Sequence, residues 1–122
     1  MSVEKTPKTS STGKAAEELA ARYLVDRGLK LTDRNYRCRF GEIDLIMQDG
    51  KVTVFVEVRL RGNSRFGGGA VSVTTQKQRR LIAAAEHYLA GKRTLPLCRF
   101  DVITLDRLEL SNIEWIKDAF SA

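Results

Sequence analysis

A β-hairpin is the strongest structural signal in this sequence. Two runs of mainly apolar residues, 41–47 and 52–59, lie on either side of the dipeptide Asp49-Gly50. Asp-Gly favours a tight two-residue turn, because both central positions need a positive φ that these residues tolerate. The sequence therefore predicts two adjacent antiparallel strands joined at this dipeptide.

The predicted turn determines which residues face one another across the hairpin. With the dipeptide at the centre of the turn, Asp44 is expected opposite Phe55, and Glu42 opposite Glu57. Alternate residues of a strand point to the same side of the sheet, so the three carboxylates would share one face. Asp44 and Glu57 would be diagonal neighbours, with Cα atoms roughly 7–8 Å apart. One cation could bridge both carboxylates at that spacing and remove their repulsion.

A basic residue follows on the second strand of the hairpin. Arg59 stands two residues after Glu57 and is therefore predicted on the carboxylate face. An acidic residue in a strand is ordinarily found on the solvated face of a half-buried sheet. Three carboxylates beside an arginine are instead typical of a nuclease-like site.

The first of two predicted helices covers residues 13–27 and ends at Gly28. Glu17 lies at the border of its apolar stripe. It is the helix carboxylate best placed to reach the hairpin, and the alternative is a solvated position on the flank of the helix.

The second helix, predicted over residues 75–90, begins with a concentration of positive charge. Lys77, Arg79 and Arg80 stand in its first turns, where cations oppose the helix dipole at a cost of roughly 0.3–1 kcal/mol each. This unfavourable placement indicates a functional role. The side chains would contact a phosphate backbone or, in the case of Lys77, the carboxylate face of the hairpin. A solvated cation is the alternative for Lys77. His87, alone near the end of the helix, is expected to be a structural or surface residue rather than a ligand or a general base.

A glycine-rich basic segment, residues 61–69, separates the hairpin from the second helix. It contains Arg61 and Arg65. No Gly-Lys-Ser/Thr follows its glycines, which excludes a P-loop. We expect either a flap that lies on a nucleic-acid backbone or a plain linker.

Two further strands are predicted near the end of the chain. Residues 98–105 alternate as a strand, and residues 113–117 could add an edge strand. The strand at 98–105 follows the second helix, so it is expected to run parallel to the last hairpin strand. Asp101, within it, is interpreted as structural.

Length and charge narrow the class of partner. The 122 residues suffice for one domain, predicted over residues 12–122 after a disordered tail of residues 1–11. The net charge of +6, from 21 basic and 15 acidic residues, favours a polyanionic partner.

The two cysteines and the single histidine favour neither a zinc site nor a disulfide. No signal peptide or membrane span is expected. The oligomeric state is left open, a homodimer included.

The sequence resembles the YraN family of small bacterial proteins, within the PD-(D/E)XK nuclease superfamily. Its nearest functional relatives by pattern are the archaeal Holliday-junction resolvases. The resemblance implies a restriction-endonuclease-like αβββαβ core, with a mixed sheet flanked by helices, in the bacterial cytoplasm. It covers about residues 13–120 and is carried by Ala16-Glu17, Gly41-Glu42-Ile43-Asp44, Val56-Glu57-Val58 and Arg99-Phe100-Asp101-Val102.

The resemblance also implies an activity. In such nucleases the Asp and Glu hold magnesium, which assigns Mg²⁺, or Mn²⁺ in its place, to Asp44 and Glu57, with Glu17 and Glu42 in the outer shell. A lysine two positions after the Glu helps to position and activate the attacking water, and Arg59 stands in its place here. Arg59 cannot act as a general base, because a guanidinium group does not give up its proton in proteins.

Two functions are therefore expected for the chain. The first is magnesium-dependent hydrolysis of DNA, branched structures included, with a catalytic set of Glu17, Asp44, Glu57 and Arg59. The second is a catalytically degenerate nuclease fold that binds nucleic acid without cutting it. In both cases the phosphate contacts would come from Arg61, Arg65, Lys77, Arg79 and Arg80. The sequence leaves the choice between DNA and RNA open.

Overall fold

The computed structural model describes residues 11–60, 73–106 and 112–121. Two helices and five strands follow one another in the order α1 Ser11–Asp26, β1 Lys30–Cys38, β2 Gly41–Asp49, β3 Val52–Leu60, α2 Thr75–Leu89, β4 Leu97–Leu105 and β5 Ile113–Phe120. This is the predicted order, and the optional last strand is present. The tail before residue 11 and the segment that contains Arg61 and Arg65 lie outside the described residues.

The five strands form one mixed sheet in the order β1-β2-β3-β4-β5. β3 and β4 run parallel, whereas the other neighbouring pairs run antiparallel. A parallel pair needs a long crossover connection, and α2 lies in the connection from β3 to β4. The predicted fold class, an α/β fold with a mixed sheet flanked by helices, is confirmed.

Two hydrophobic clusters lie on opposite faces of the sheet, because successive side chains of a strand point to opposite sides. On one face Val54 packs with Ala20 of α1. On the other face Phe55 packs with Leu81 of α2. The central strand β3 is buried over residues 53–58, so a charged side chain in that stretch is removed from water as well.

Both helices have defined ends. α1 begins at Ser11, two residues before the predicted start, and Gly28, with a φ of 98°, follows its end. Positive φ after the last turn is typical of a glycine that terminates a helix. The Thr74 side chain caps α2 and accepts a hydrogen bond from the backbone N–H of Lys77. Within the described residues, no helix combines the length and the apolar character that crossing a membrane requires.

The turn of the β2–β3 hairpin lies one residue later than predicted. Asp49 pairs with Val52, so Gly50 and Lys51 are the central residues of the turn. Gly50, with a φ of 60°, supplies the positive φ that the turn requires. Asp49 stays in the strand, where its carboxylate accepts an ion-pair contact of 3.0 Å from Arg99 of β4.

The shifted turn changes the cross-strand partners. Phe55 faces Ile46, so the prediction that it faces Asp44 is wrong. Each partner moves by two residues, because moving the turn by one residue lengthens one arm and shortens the other. A shift of two residues leaves every side chain on the same face of the sheet. The predicted face of the β3 side chains is therefore unaffected by the error in the turn.

Asp101 is a structural residue, as predicted. Its buried carboxylate accepts hydrogen bonds of 2.9 Å from Trp115 Nε1 and from the backbone N–H of Asp118, both in β5. Arg99 Nε donates to the same carboxylate. Burial lowers the pKa of the Arg99 guanidinium, but the hydrogen bonds and charges of Asp101 and Asp49 outweigh it and raise that pKa above its usual value. Asp101 therefore ties β4 to β5.

Candidate active site

Asp44 of β2 and Glu57 of β3 are acidic side chains in the interior of the protein. Only 1% of Asp44 and 2% of Glu57 is exposed. Leu45 and Val56 form the last residue pair between β2 and β3, so Asp44 and Glu57 each stand one residue beyond it on neighbouring strands. Like charges close together repel, and burial strengthens the repulsion. The pair therefore depends on nearby donors and cations.

A backbone amide holds Asp44. The N–H of Val58 donates to Asp44 Oδ2 at 2.9 Å. This bond lies just beyond the last β2–β3 residue pair, so the side chain takes the place of a carbonyl of the partner strand. A hydrogen bond to a charged acceptor is among the stronger ones, and it fixes the direction of the carboxylate.

Two cations lie beside Glu57. Lys77 Nζ is 3.2 Å from Glu57 Oε2, and a guanidinium nitrogen of Arg59 is 3.7 Å from the same oxygen. Each of the two cationic side chains is one-third exposed, whereas Glu57 is buried. The cations therefore bring positive charge from the surface to an interior carboxylate, and the closer one comes from α2 rather than from β3.

The start of α2 fixes the position of Lys77. Thr74 Oγ1 accepts from the Lys77 backbone N–H at 3.1 Å, a contact that holds the first turn of the helix. A cation this near a helix N-terminus is unfavourable on its own. The contact with Glu57 offsets that cost. The expectation that Lys77 reaches a carboxylate therefore agrees with the structure.

Asn35 joins the two remaining acidic residues. Its Nδ2 donates to Glu17 Oε1 at 3.0 Å and to Glu42 Oε2 at 3.1 Å. Arg37 Nε lies 3.4 Å from the same oxygen of Glu42. Glu17 is 7% exposed, so the predicted alternative of a solvated position on the helix flank does not apply.

Sequence reasoning missed Asn35, although one signal was available. Its φ is 49°, and asparagine is one of the few residues other than glycine that adopt such values readily. Asparagine is also depleted in β-strands, so its presence inside a strand-like stretch is unusual. Nothing in the sequence, however, indicated that its amide would lie between two carboxylates.

β2 does not alternate regularly at the site. Ile43 belongs to the cluster on the α2 side of the sheet, whereas Leu45 belongs to the cluster on the α1 side. Residues two apart in a regular strand share a face. The regular alternation on which the shared face of Glu42 and Asp44 was predicted therefore breaks at Asp44, next to its β1 neighbour Asn35.

A small pocket opens where β2 begins beside the start of α2. Its volume is about 120 Å³, and it is lined by Gly41, Glu42, Lys77, Arg80 and Leu81. The pocket thus lies between Glu42, which Asn35 joins to Glu17, and Lys77, which contacts Glu57. Of the predicted phosphate-binding residues within the described chain, Lys77 turns inward, whereas Arg79 and Arg80 are exposed.

Two carboxylates of the site could contribute to a metal centre. Among the described residues, no group of three or more His, Cys, Asp or Glu side chains is arranged to hold a metal ion. A closed, all-protein metal cage is therefore absent from this part of the chain. Magnesium is commonly bound by one or two carboxylates, with waters and substrate phosphates as the other ligands. Asp44 and Glu57 provide two hard oxygen donors of that kind.

The fold and the site define a small α/β protein with two buried carboxylates on neighbouring strands of a mixed sheet and two cations beside one of them. The model of the family described as Uncharacterised protein family UPF0102 matches residues 16–105. The chain belongs to this family, which confirms the part of the resemblance that concerns a family of small bacterial proteins.

Several bacterial UPF0102 proteins are similar to this chain over nearly their whole length. One from Methylobacillus flagellatus is 54% identical over 90% of this chain and 96% of its own length. One from Ralstonia nicotianae is 57% identical over 93% and 89%, respectively. One from Dechloromonas aromatica is 51% identical over 100% and 98%. The similarity spans both helices and every strand that contributes to the site.

Proposed function

We propose that this protein is a magnesium-dependent nuclease of the PD-(D/E)XK type that hydrolyses phosphodiester bonds of DNA in the cytoplasm, with branched DNA as its substrate. One observation carries the proposal: β2 and β3 each place a buried carboxylate next to their last residue pair, and a lysine and an arginine lie on one of the two carboxylates. The net charge of +6 supports a polyanionic substrate.

Asp44 and Glu57 would hold the Mg²⁺, and Mn²⁺ would substitute for it. When bound, the ion lowers the pKa of an attacking water and offsets the charge that develops on the phosphate. The Val58 amide orients Asp44 before any ion arrives, and Lys77 and Arg59 orient Glu57. The protein would thus present its ligands in a fixed direction.

We propose that Lys77 takes the role of the lysine that the superfamily pattern has at the position of Arg59. The pattern has a lysine two positions after the Glu, and this chain supplies an ammonium group to the same carboxylate from α2. The Lys77 ammonium has three donors, so it can contact Glu57 and still hold a water or a phosphate oxygen. Arg59 would add charge for the phosphate without taking a proton.

Glu17 and Glu42 keep their proposed place in the outer shell. One amide group, that of Asn35, holds both carboxylates and so sets their separation. Carboxylates fixed in this way can accept hydrogen bonds from metal-bound waters. Their contribution would be the orientation of water rather than direct ligation.

One observation also favours the second function, a nuclease fold that binds nucleic acid without cutting it. Lys77 and Arg59 already provide Glu57 with positive charge, so the site does not require a metal ion in order to be electrostatically balanced. In that case the basic side chains would serve binding alone.

The deciding experiment is a cleavage screen on duplex, single-stranded, flap and four-way-junction DNA, with Mg²⁺, with Mn²⁺ and with a chelator. It compares the wild type, Glu57→Gln and Glu86→Gln, the last being an exposed acidic residue of α2. Metal-dependent cleavage by the wild type and Glu86→Gln, but not by Glu57→Gln, supports the nuclease. Binding without cleavage in all conditions supports the second function. A protein that neither cuts nor binds DNA rejects both.

A further inference from the structure

An exposed aromatic ring lies beside the candidate active site. Phe40, between β1 and β2, is 40% exposed, and it is the only aromatic among the strongly exposed large apolar residues of the described chain. It stands two residues before Glu42, which lines the pocket. A single exposed apolar residue is ordinary, so its surroundings must decide whether it has a use.

The surroundings of Phe40 are basic. The guanidinium of Arg39 lies 5.0 Å from the centre of the Phe40 ring. The His87 ring is 5.9 Å from the Phe40 ring, and His87 is itself hydrogen-bonded to the Tyr36 hydroxyl. Arg80 packs next to Gly41, close enough that a Cβ at Gly41 would lie 3.5 Å from Arg80 Cβ. Arg39 beside the ring and Arg80 beside the next residue are the groups here that attract phosphate.

A continuous strip joins Phe40 to the carboxylates. Lys77, Arg80 and His87 recur at helical spacing along α2, so they lie on the same side of the helix. Lys77 contacts Glu57 at one end of the strip, and His87 contacts Phe40 at the other. Lys77 and His87 are ten positions apart, which corresponds to roughly 15 Å along the helix. A nucleic-acid strand with about 3.4 Å per nucleotide would cover that length in a few nucleotides.

We propose that Phe40 is a stacking platform for an unpaired base of the strand that occupies the Glu57–Lys77 site. This inference rests on the proposed nucleic-acid function and specifies its substrate class: strands with unstacked bases, such as single strands, flaps and open junctions. Bases within an intact duplex are stacked on one another, so their faces are not available to the ring. Aromatic rings beside arginines are suitable platforms for any exposed base.

The test measures binding of a single-stranded oligonucleotide and of the corresponding duplex, with a chelator present so that nothing is cut. Phe40→Ala is expected to weaken single-strand binding by roughly 5- to 150-fold, the effect of losing one stacked base. Duplex binding should change less than twofold. Phe40→Trp should retain single-strand binding. Leu97→Ala is the matched control, because Leu97 is 71% exposed at the opposite end of β4 from the site.

The possible failures are distinct. If Phe40→Ala binds single strands as tightly as the wild type does, or weakens both substrates equally, the stacking platform is rejected and the nuclease proposal stands. If the Leu97 control produces the same loss, the effect is not specific to Phe40, which also rejects the platform. If the wild type binds neither substrate, the proposed nucleic-acid function itself is rejected.

Discussion

The Lys77 ammonium lies 3.2 Å from Glu57 Oε2, closer than the Arg59 guanidinium at 3.7 Å. Lys77 and Glu57 are twenty positions apart in the chain, and the crossover through α2 brings them together. In the proposed nuclease, Lys77 would provide from a helix the ammonium group that the PD-(D/E)XK pattern places on the strand. This contact makes Lys77 the residue whose replacement distinguishes best between catalysis and structure.

Replacing Lys77 by Met should slow cleavage and strengthen metal binding. Cleavage is expected to fall by roughly 10²- to 10³-fold, by analogy with removing one electrostatic donor from a transition state. Mn²⁺ should bind more tightly, because a competing cation has left Glu57. Single-turnover cleavage and calorimetric Mn²⁺ titration measure the two effects. Lys77→Arg, which keeps the charge, is the control. An unchanged rate together with unchanged Mn²⁺ affinity would reduce Lys77 to a structural ion pair.

Arg59 is expected to matter less than Lys77. It is more distant from Glu57, and it is one-third exposed, so its removal in Arg59→Ala should cost about 1 kcal/mol, or roughly fivefold in rate. Arg59→Lys should stay active. Both variants are compared with wild type in the same single-turnover assay. If Arg59→Ala loses more of the cleavage rate than Lys77→Met does, Arg59 of β3 has the larger catalytic role.

Much of the fold could be predicted from sequence. The face of Glu57 follows from the period-two alternation of β3, which survives an error of two residues in register, whereas the alternation of β2 breaks at Asp44. The cross-strand partners in the β2–β3 hairpin could not be predicted, because they depend on Asp49 staying in β2. There Asp49 contacts Arg99, a residue of β4 that is distant in the sequence. The break in alternation at Asp44 and the amide of Asn35 between two carboxylates arise from tertiary packing. Local sequence carries little information about such contacts.

Asp44→Asn should preserve the fold and abolish metal binding. Asparagine keeps an oxygen that can accept the Val58 N–H, and it removes the repulsion with Glu57. Without metal, the free energy of unfolding should therefore stay the same or rise by up to about 1 kcal/mol. Urea unfolding in chelator and a Mn²⁺ titration check both parts. Should Asp44→Asn unfold the domain, Asp44 is a structural residue and the metal-site assignment is wrong.

Asp101 gives the opposite result, because it holds the fold together. Asp101→Ala leaves Arg99 and the Trp115 indole without their acceptor, and it should lower the free energy of unfolding by about 3–5 kcal/mol. Asp118→Asn alters an exposed side chain of the same region and should stay within about 0.5 kcal/mol. Urea unfolding compares the two variants. A small effect of Asp101→Ala would contradict the structural role that links β4 to β5.

The salt dependence of DNA binding tests whether α2 contacts the phosphate backbone. If about four phosphates are neutralised on duplex DNA, log K should fall with log salt at a slope of about −3.6. Arg79→Ala and Arg80→Ala should each reduce the steepness by about 0.9, because each removes one phosphate contact. Arg22→Ala removes an equally exposed arginine from α1 and should leave the slope unchanged. Fluorescence anisotropy over a range of salt concentrations gives all four slopes. Equal slopes for the Arg22 and Arg80 variants would show that the DNA does not lie along α2, and the strip from Lys77 to Phe40 would lose its role in binding.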